Sequence, residues 1–210
     1  GSDRILRLMN RNYRRSKYLS IIDSLRSRVP DMAITTDIIV GFPGETEKDF
    51  QDTIDLVKQA KFDSAFTYQY SKRPGTPAAE MPNQIDPKEI NERYERLAKV
   101  INLVVLEQNK KQIGKNVEVL VSESQGRKEE FKNTMSGRTK DFRLINFTPQ
   151  KDQFIRPGDF VELEVRGAFP FYLTSDKPTI KHRMTNAGDI WQNSKKSSNE
   201  VLLGIPTLVR

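Results

Sequence analysis

The residues best placed to contact a ligand form a glycine-rich turn, Gly41-Phe42-Pro43-Gly44-Glu45, which directly follows an apolar run. Gly41 and Gly44 allow backbone conformations that other residues avoid, and they let the main chain approach a ligand closely. The turn lacks the GxxxxGK[ST] spacing of a phosphate loop, and no lysine follows Gly44. A turn that only connects two elements would use the same glycines, so the local pattern leaves both interpretations open.

The segments around this turn predict alternating helices and strands. Ile34 and residues 38–40 are β-branched and apolar, which favours a parallel strand covered on both faces. Thr46 and Asp49 indicate a capping box at the start of the next helix, and residues 64–71 (SAFTYQYS) favour a second strand. Ligands of α/β sheets bind at the carboxyl ends of parallel strands. We therefore expect the glycine turn and the proline-rich loop 72–86 to line one mouth.

Two further helices are indicated on either side of these strands. Residues 1–28 carry eight basic and two acidic side chains, and Ser16 is a candidate cap for a helix that follows it. The basic cluster there either meets phosphate or carboxylate groups or is a solvated helix face; it comprises Arg11, Arg14, Arg15 and Lys17. Asp86, Pro87 and Glu89 predict the N-cap, first residue and capping box of a long helix that ends near Gly114.

The pattern changes from helical to alternating at Asn116. Val117, Val119 and Val121 begin a series of five predicted strands, of which the last covers residues 167–174. Five short strands with glycines between them fit a small barrel of the type that binds oligonucleotides. Basic residues interleaved with Phe131 and Phe142 support RNA binding by this part; they are Arg127, Lys128, Lys132, Arg138, Lys140 and Arg143. The polar residues 176–210 predict a tail, in which residues 201–209 are a candidate edge strand.

The composition restricts the chemistry available to this chain. It has no cysteine, so it offers no disulfide, no thiol nucleophile and no thiolate ligand for iron–sulfur clusters. The single histidine, His182, disfavours a histidine-based metal site or triad. A net charge of +7 favours a polyanionic partner. No apolar run approaches the roughly 20 residues needed to cross a bilayer and no signal-peptide pattern is present, so we expect a cytoplasmic protein with no membrane partner.

Three segments in order resemble the radical S-adenosylmethionine methylthiotransferases, namely residues 9–13, 35–46 and 62–79, followed by the predicted barrel. The similarity extends over roughly residues 1–175. The MxRxY run at Met9 and the FDSAFTYQYS run at Phe62 are most similar to the tRNA-2-methylthio-N6-dimethylallyladenosine synthases. The relatives that act on threonylcarbamoyladenosine are the nearest alternative.

The resemblance implies an α/β part followed by an all-β part. Residues 1–111 would be the C-terminal part of an incomplete (β/α) radical S-adenosylmethionine barrel. Residues 112–175 would be a five-stranded, OB-like TRAM barrel that binds RNA, and residues 176–210 a polar tail.

The resemblance also implies cofactors and site residues. Asp37, Ile39, Gly41 and Glu45 are similar to the family's GxIxGxxE element, which shapes the adenosine part of the S-adenosylmethionine site, and Asp37 replaces its first glycine. Arg11, Tyr70 and Ser71 are expected at the same site, whereas Arg73 is expected to contact RNA. Two 4Fe–4S clusters of the longer protein would be held by cysteines that this chain lacks. No residue of this chain is therefore expected to be catalytic or to bind metal.

The implied function is that of a tRNA methylthiotransferase, which adds a methylthio group to C2 of N6-dimethylallyladenosine next to the anticodon. The anticodon stem-loop would be the substrate, and flavodoxin or ferredoxin the electron donor. The chain alone is expected to be inactive. Two other interpretations are a stand-alone basic RNA-binding module and an unrelated α/β enzyme acting on a phosphorylated metabolite, which the lack of cysteine and near-lack of histidine disfavour.

Overall fold

The glycine turn follows a strand that has a parallel neighbour, as the sequence predicts. The computed structural model describes residues 1–123 and 134–183. It begins with α1 (Asp3–Leu8) and α2 (Arg15–Arg28), followed by β1 (Thr35–Val40), α3 (Glu47–Ala60) and β2 (Ser64–Gln69). β1 and β2 pair in parallel, from Thr35 opposite Ser64 to Val40 opposite Gln69. The predicted βαβ arrangement is therefore confirmed.

Capping residues define where α3 begins. The Thr46 hydroxyl accepts the Asp49 N–H at 3.3 Å, and the Asp49 carboxylate accepts the Thr46 N–H at 2.9 Å. Together these bonds form the predicted capping box. Ser16, by contrast, lies inside the first turn of α2, whose N-cap is Arg14, so its predicted capping role is wrong.

The long helix starts where the sequence predicts. After the short α4 (Pro77–Glu80), α5 (Pro87–Lys110) begins with Asp86, which accepts the Lys88 N–H at 2.8 Å. Glu89 does not complete a capping box, because its carboxylate accepts a hydrogen bond from Arg93 at 2.5 Å instead. No helix in the described part of the chain has the length and apolar composition needed to cross a membrane.

The strand β1 buries only one of its faces. Ile38 and Val40 pack in a core with Phe50 of α3 and Leu97 of α5. Asp37 and Ile39 point to the opposite face and are exposed, as are Phe66 and Tyr68 opposite them on β2. The prediction that β1 is covered on both faces is therefore wrong for this chain, because the side chains of Asp37 and Ile39 stay exposed.

The described residues divide into two compact units. The first comprises residues 1–114 and 167–173, and the second comprises residues 115–166 and those from 174 onward. The second contains β3 (Asn116–Glu123), β4 (Met135–Thr139), β5 (Leu144–Thr148) and β6 (Phe160–Glu164). β3 pairs antiparallel with β4 and β6, and β4 pairs antiparallel with β5. Alternate side chains form its core, and Val119, Val121, Ile145, Phe147, Val161 and Leu163 are buried there.

The end of the sheet differs from the prediction. Residues 167–174 form two short strands, β7 (Gly167–Ala168) and β8 (Leu173–Asp176), because the Phe169 N–H bonds to the Tyr172 carbonyl at 2.9 Å and turns the chain. β9 (Thr179–His182) then pairs antiparallel with β6, so the predicted tail contains a strand. The backbone of Arg166 donates to the Thr174 carbonyl at 2.9 Å, which brings the chain after β6 beside β8. Closure of this sheet into a TRAM barrel stays a prediction.

Candidate cofactor site and nucleic-acid surface

Glu45 fixes the shape of the glycine turn. Its side chain is 3% exposed, and Oε2 accepts the Gly41 N–H at 2.9 Å and Arg93 Nη1 at 3.1 Å. Arg93 Nη1 also donates to the Glu45 carbonyl at 2.9 Å. Burial raises the pKa of Glu45 above its ordinary value of 4.5, although the Gly41 N–H and Arg93 act in the opposite direction. Glu45 therefore joins the turn to α5.

Gly41 approaches a helix rather than open space. Its φ is +79°, and a Cβ at this position would lie 2.6 Å from Cγ1 of Ile90 on α5. Both the conformation and the packing exclude a larger side chain. The backbone at Gly41 thus approaches Ile90 closely. Packing against α5 is enough to explain why a glycine occupies this position.

The glycine turn and the proline-rich loop lie side by side, as expected. Gly44 donates its N–H to the Asn83 carbonyl at 2.9 Å, and the rings of Phe42 and Tyr70 contact edge to face at 5.5 Å. The Tyr70 hydroxyl is buried and has no hydrogen-bond partner among the described residues. Such an orphaned group is costly unless something else satisfies it. Ser71 and Arg73 continue from it and are exposed.

A cavity of about 140 Å³ in the first unit brings together four of the predicted cofactor residues. They are Arg11, Asp37, Ile39 and Glu45. The other three, Gly41, Tyr70 and Ser71, do not line it. Small-molecule sites usually measure about 300–1,000 Å³, so this cavity has room for part of a cofactor.

The residues present fit S-adenosylmethionine in part and an iron–sulfur cluster not at all. Asp37 and Ile39 offer a carboxylate acceptor and an apolar surface on the exposed face of β1, and the Tyr70 hydroxyl has no partner within residues 1–123 and 134–183. A cluster needs thiolates, and the sequence has no cysteine. The described residues also include no group of three or more acidic or histidine side chains arranged to hold a metal ion.

The match to the family's GxIxGxxE element is looser than the resemblance suggests. Three residues, Phe42, Pro43 and Gly44, separate Gly41 from Glu45, where the element has two. With Asp37 in place of the first glycine, two features of the element differ here. Only Ile39 and Gly41 match the element in both residue type and spacing.

Two ionic contacts near the turn were not predicted, one partly exposed and one buried. The Asp49 carboxylate accepts hydrogen bonds from Arg4 and from the Ser2 hydroxyl, and Arg4 also donates to the Gly44 carbonyl at 2.6 Å. Arg93 lies on the buried stripe of α5 between Ile90 and Leu97. An arginine on an apolar stripe is a signal for a buried ion pair, and that signal was available in the sequence.

The predicted basic residues of the second unit fall into three groups. Arg138 and Lys140 are exposed on the β4–β5 hairpin beside Phe142, which is 80% exposed. Arg143 is 9% exposed, and its Nε bonds to the Asp141 carboxylate at 2.7 Å. Burial opposes ionisation of Asp141, but Thr139 and Arg143 lower its pKa below 3.8. Outside the described residues lie Arg127, Lys128, Phe131, Lys132 and the candidate strand 201–209.

Comparisons with known proteins agree with the resemblance found in the sequence. Residues 1–57 match the family model described as the radical SAM superfamily. The tRNA-2-methylthio-N(6)-dimethylallyladenosine synthase of Corynebacterium urealyticum is 52% identical over 99% of this chain and 39% of that protein. The synthases of Mycobacteroides abscessus and Mycolicibacterium smegmatis are also 52% identical, over 99% of this chain and 42% and 40% of their own lengths. Along 99% of its length the chain is therefore similar to radical S-adenosylmethionine methylthiotransferases, and it spans about two fifths of the length of the curated relatives that it matches.

Proposed function

We propose that this chain is the carboxyl-terminal part of a tRNA methylthiotransferase that modifies C2 of N6-dimethylallyladenosine beside the anticodon. The observation that carries this proposal is the 52% identity to named synthases along 99% of the chain. The first unit would complete the catalytic barrel, and the second would bind the anticodon arm. A tRNA substrate would place the enzyme in the cytoplasm.

The one-sided burial of β1 and β2 supports the barrel part of the proposal. Helices α3 and α5 contact these strands on the side of Ile38 and Val40. The other side carries the exposed side chains of Ile39, Phe66 and Tyr68, whose exposed fractions are 42%, 61% and 52%. In a (β/α) barrel, helices cover the outer face of the strands, the inner face is enclosed by the strands themselves, and the reaction site lies at their carboxyl ends. We assign the exposed face to the inside of the barrel.

The cofactor S-adenosylmethionine would supply the radical that abstracts hydrogen from the adenine, and this chain would help to hold it. Asp37, Ile39 and Arg11 would bind it, and their shared lining of one cavity supports this role. Glu45 and Gly41 would act indirectly, because the hydrogen bond between them sets the shape of the loop that follows β1. The clusters would be bound by cysteines of the preceding sequence, and an electron donor such as flavodoxin or ferredoxin would reduce them. We therefore expect this chain alone to be inactive.

Nucleoside analysis of tRNA tests the proposal directly. The full-length protein is expressed in bacteria that lack their own synthase, and the tRNA nucleosides are separated and identified by mass spectrometry. We expect 2-methylthio-N6-dimethylallyladenosine to appear, and Asp37→Ala to reduce it about tenfold or more through weaker cofactor binding. Lys58→Ala, on the exposed face of α3, is the matched control and should not change it.

The same measurement separates the alternatives. A methylthio group on threonylcarbamoyladenosine would retain the family chemistry and overturn the substrate. No methylthio nucleoside at all, with the protein folded and its clusters present, would overturn the proposed activity.

A further inference from the structure

One row of side chains crosses the outer face of the sheet in the second unit. Arg138 on β4 lies opposite Leu120 on β3 and Leu144 on β5, and Leu120 lies opposite Phe160 on β6. Paired residues project from the same face of a sheet. Leu120 is 41% exposed and Phe160 is 36% exposed. Since neighbouring strands lie about 4.8 Å apart, the row extends roughly 10 Å from Phe160 to Arg138.

The β4–β5 hairpin holds a phenylalanine in a strained position at its tip. Phe142 has a φ of +69°, a conformation that bulky residues rarely adopt, and its side chain is 80% exposed. Its N–H bonds to the Thr139 carbonyl at 2.9 Å, and the Arg143 N–H bonds to the Thr139 hydroxyl at 2.9 Å. Burial of the Phe142 ring does not compensate for this backbone strain, because the ring is exposed. Backbone strain kept at an exposed site is typical of functional positions.

Charge surrounds this ring unevenly. Arg138 Nη1 donates to the Phe142 carbonyl at 3.2 Å, and Lys140 is exposed two residues before the ring. On the neighbouring row of the same face, Glu118 lies opposite Glu162. The Glu162 carboxylate is paired with Lys181 at 3.0 Å, which leaves Glu118 as the repelling charge of this pair. A nucleic-acid phosphate would be attracted to the side of Arg138 and Lys140 and repelled by Glu118.

We propose that Phe160, Leu120, Arg138 and Phe142 form a stacking surface that binds unpaired nucleotides of RNA, with the Phe142 ring stacked on a base. This inference rests on the proposed RNA-binding role of the second unit and adds the residues that perform it. Aromatic rings stack on any base, and neighbouring cations bind the backbone phosphates. The surface would therefore select unpaired RNA over a duplex, whose bases are already stacked on one another.

Binding measurements with the 210-residue chain test this surface. The probes are an anticodon stem-loop RNA and a fully paired RNA duplex of equal length, at fixed salt. Phe142→Asn removes the ring but tolerates the left-handed backbone, so we expect about tenfold weaker binding of the stem-loop and unchanged binding of the duplex. Phe142→Tyr keeps a ring and should bind as the wild type does. Phe171→Asn removes another phenylalanine, 73% exposed and in the first unit, and should have no effect.

The outcomes separate this inference from the function on which it rests. If the wild type binds the stem-loop and Phe142→Asn binds it equally well, the stacking role is overturned while RNA binding stands. If the wild type does not bind the stem-loop, the RNA-binding role is overturned and this inference with it. The free energy of unfolding of Phe142→Asn should equal or exceed that of the wild type, and a lower value would assign the ring a structural role and overturn the proposal.

Discussion

Gly41 combines two constraints in one residue. Its φ of +79° disfavours any side chain, and the contact with Ile90 leaves no space for a Cβ. We predict that Gly41→Ala lowers the free energy of unfolding by roughly 2–5 kcal/mol, because the left-handed backbone and the overpacking both add a cost. Urea denaturation measures this directly.

Gly75 provides the matched control for this substitution. Its φ is +78°, close to that of Gly41, but no atom lies within 4 Å of the position where its Cβ would be. Gly75→Ala should therefore cost only the conformational part, roughly 1–2 kcal/mol. Equal losses for the two variants would show that Ile90 does not restrict Gly41.

Asp49 makes the first unit sensitive to acid. Burial alone would raise its pKa, but hydrogen bonds from Arg4, Ser2 and Thr46 hold the pKa far below the ordinary value of 3.8. The unfolded chain consequently binds a proton at this group more readily than the folded chain does. We predict that the wild type loses stability as the pH falls below about 3.8, and that Asp49→Asn removes this part of the pH dependence.

Denaturation at a series of pH values checks this prediction. At neutral pH, Asp49→Asn should cost about 1.5–3 kcal/mol, because it weakens the charge-assisted hydrogen bonds to the carboxylate while the half-exposed Arg4 regains contact with water. Asp55→Asn changes an exposed carboxylate of the same helix, which accepts a hydrogen bond from Gln51 at 2.9 Å, and should keep the wild-type pH profile. Glu45 acts in the opposite sense: its raised pKa contributes stability below 4.5 that is lost as the pH rises through the raised value.

At the scale of elements, β1 and β2 have one covered and one open face. Phe62, just before β2, is 1% exposed, whereas Phe66 within it is 61% exposed. We predict that Phe66→Thr changes the free energy of unfolding by less than about 0.5 kcal/mol, because the ring buries little surface and threonine favours strands. Phe62→Ala should cost about 3–5 kcal/mol. Chemical denaturation of both variants gives the comparison.

A second readout follows the open face itself. Dyes that fluoresce on exposed apolar surface should bind the wild-type chain and bind less to the variant carrying both Phe66→Thr and Tyr68→Thr. Were Phe66→Thr as destabilising as Phe62→Ala, the face would be covered in solution, and its assignment to the inside of a larger barrel would lose its basis.

At the scale of the whole molecule, a net charge of +7 should make RNA binding depend on salt. We predict that the logarithm of the affinity for an anticodon stem-loop falls linearly with the logarithm of salt concentration. Each single-strand phosphate contact contributes about 0.7 to the slope, so the combined change Arg138→Ala and Lys140→Ala should reduce it by roughly 1.4. Titrations at several salt concentrations measure the slope.

The position of the charge, and not only its amount, is expected to matter. Arg166 and Lys181 are paired with Glu164 and Glu162 at 2.9 Å and 3.0 Å. Replacing both by alanine removes the same net charge as the first pair of substitutions, yet it should leave the slope nearly unchanged. A slope that responds equally to both pairs would contradict localised binding on the hairpin.

Local sequence determined most of the elements of this chain and its resemblance to known proteins. The β-branched run before the glycine turn predicted β1, and the aromatic and threonine-rich residues 64–71 predicted β2. The Thr46–Asp49 capping box and the Asp86 cap were readable because capping depends on neighbours within one turn. The family resemblance rests on short motifs of the same kind. These features require no knowledge of distant contacts.

Only the tertiary structure decided what surrounds the site. Gly41 packs against Ile90, and Glu45 pairs with Arg93, which lies 48 residues away in the chain. Likewise, residues 179–182 of the polar segment form a strand because they pair with β6. The periodicity of a sequence indicates which way a side chain points. It does not indicate which distant residue packs against that side chain or neutralises its charge, because folding alone brings those residues together.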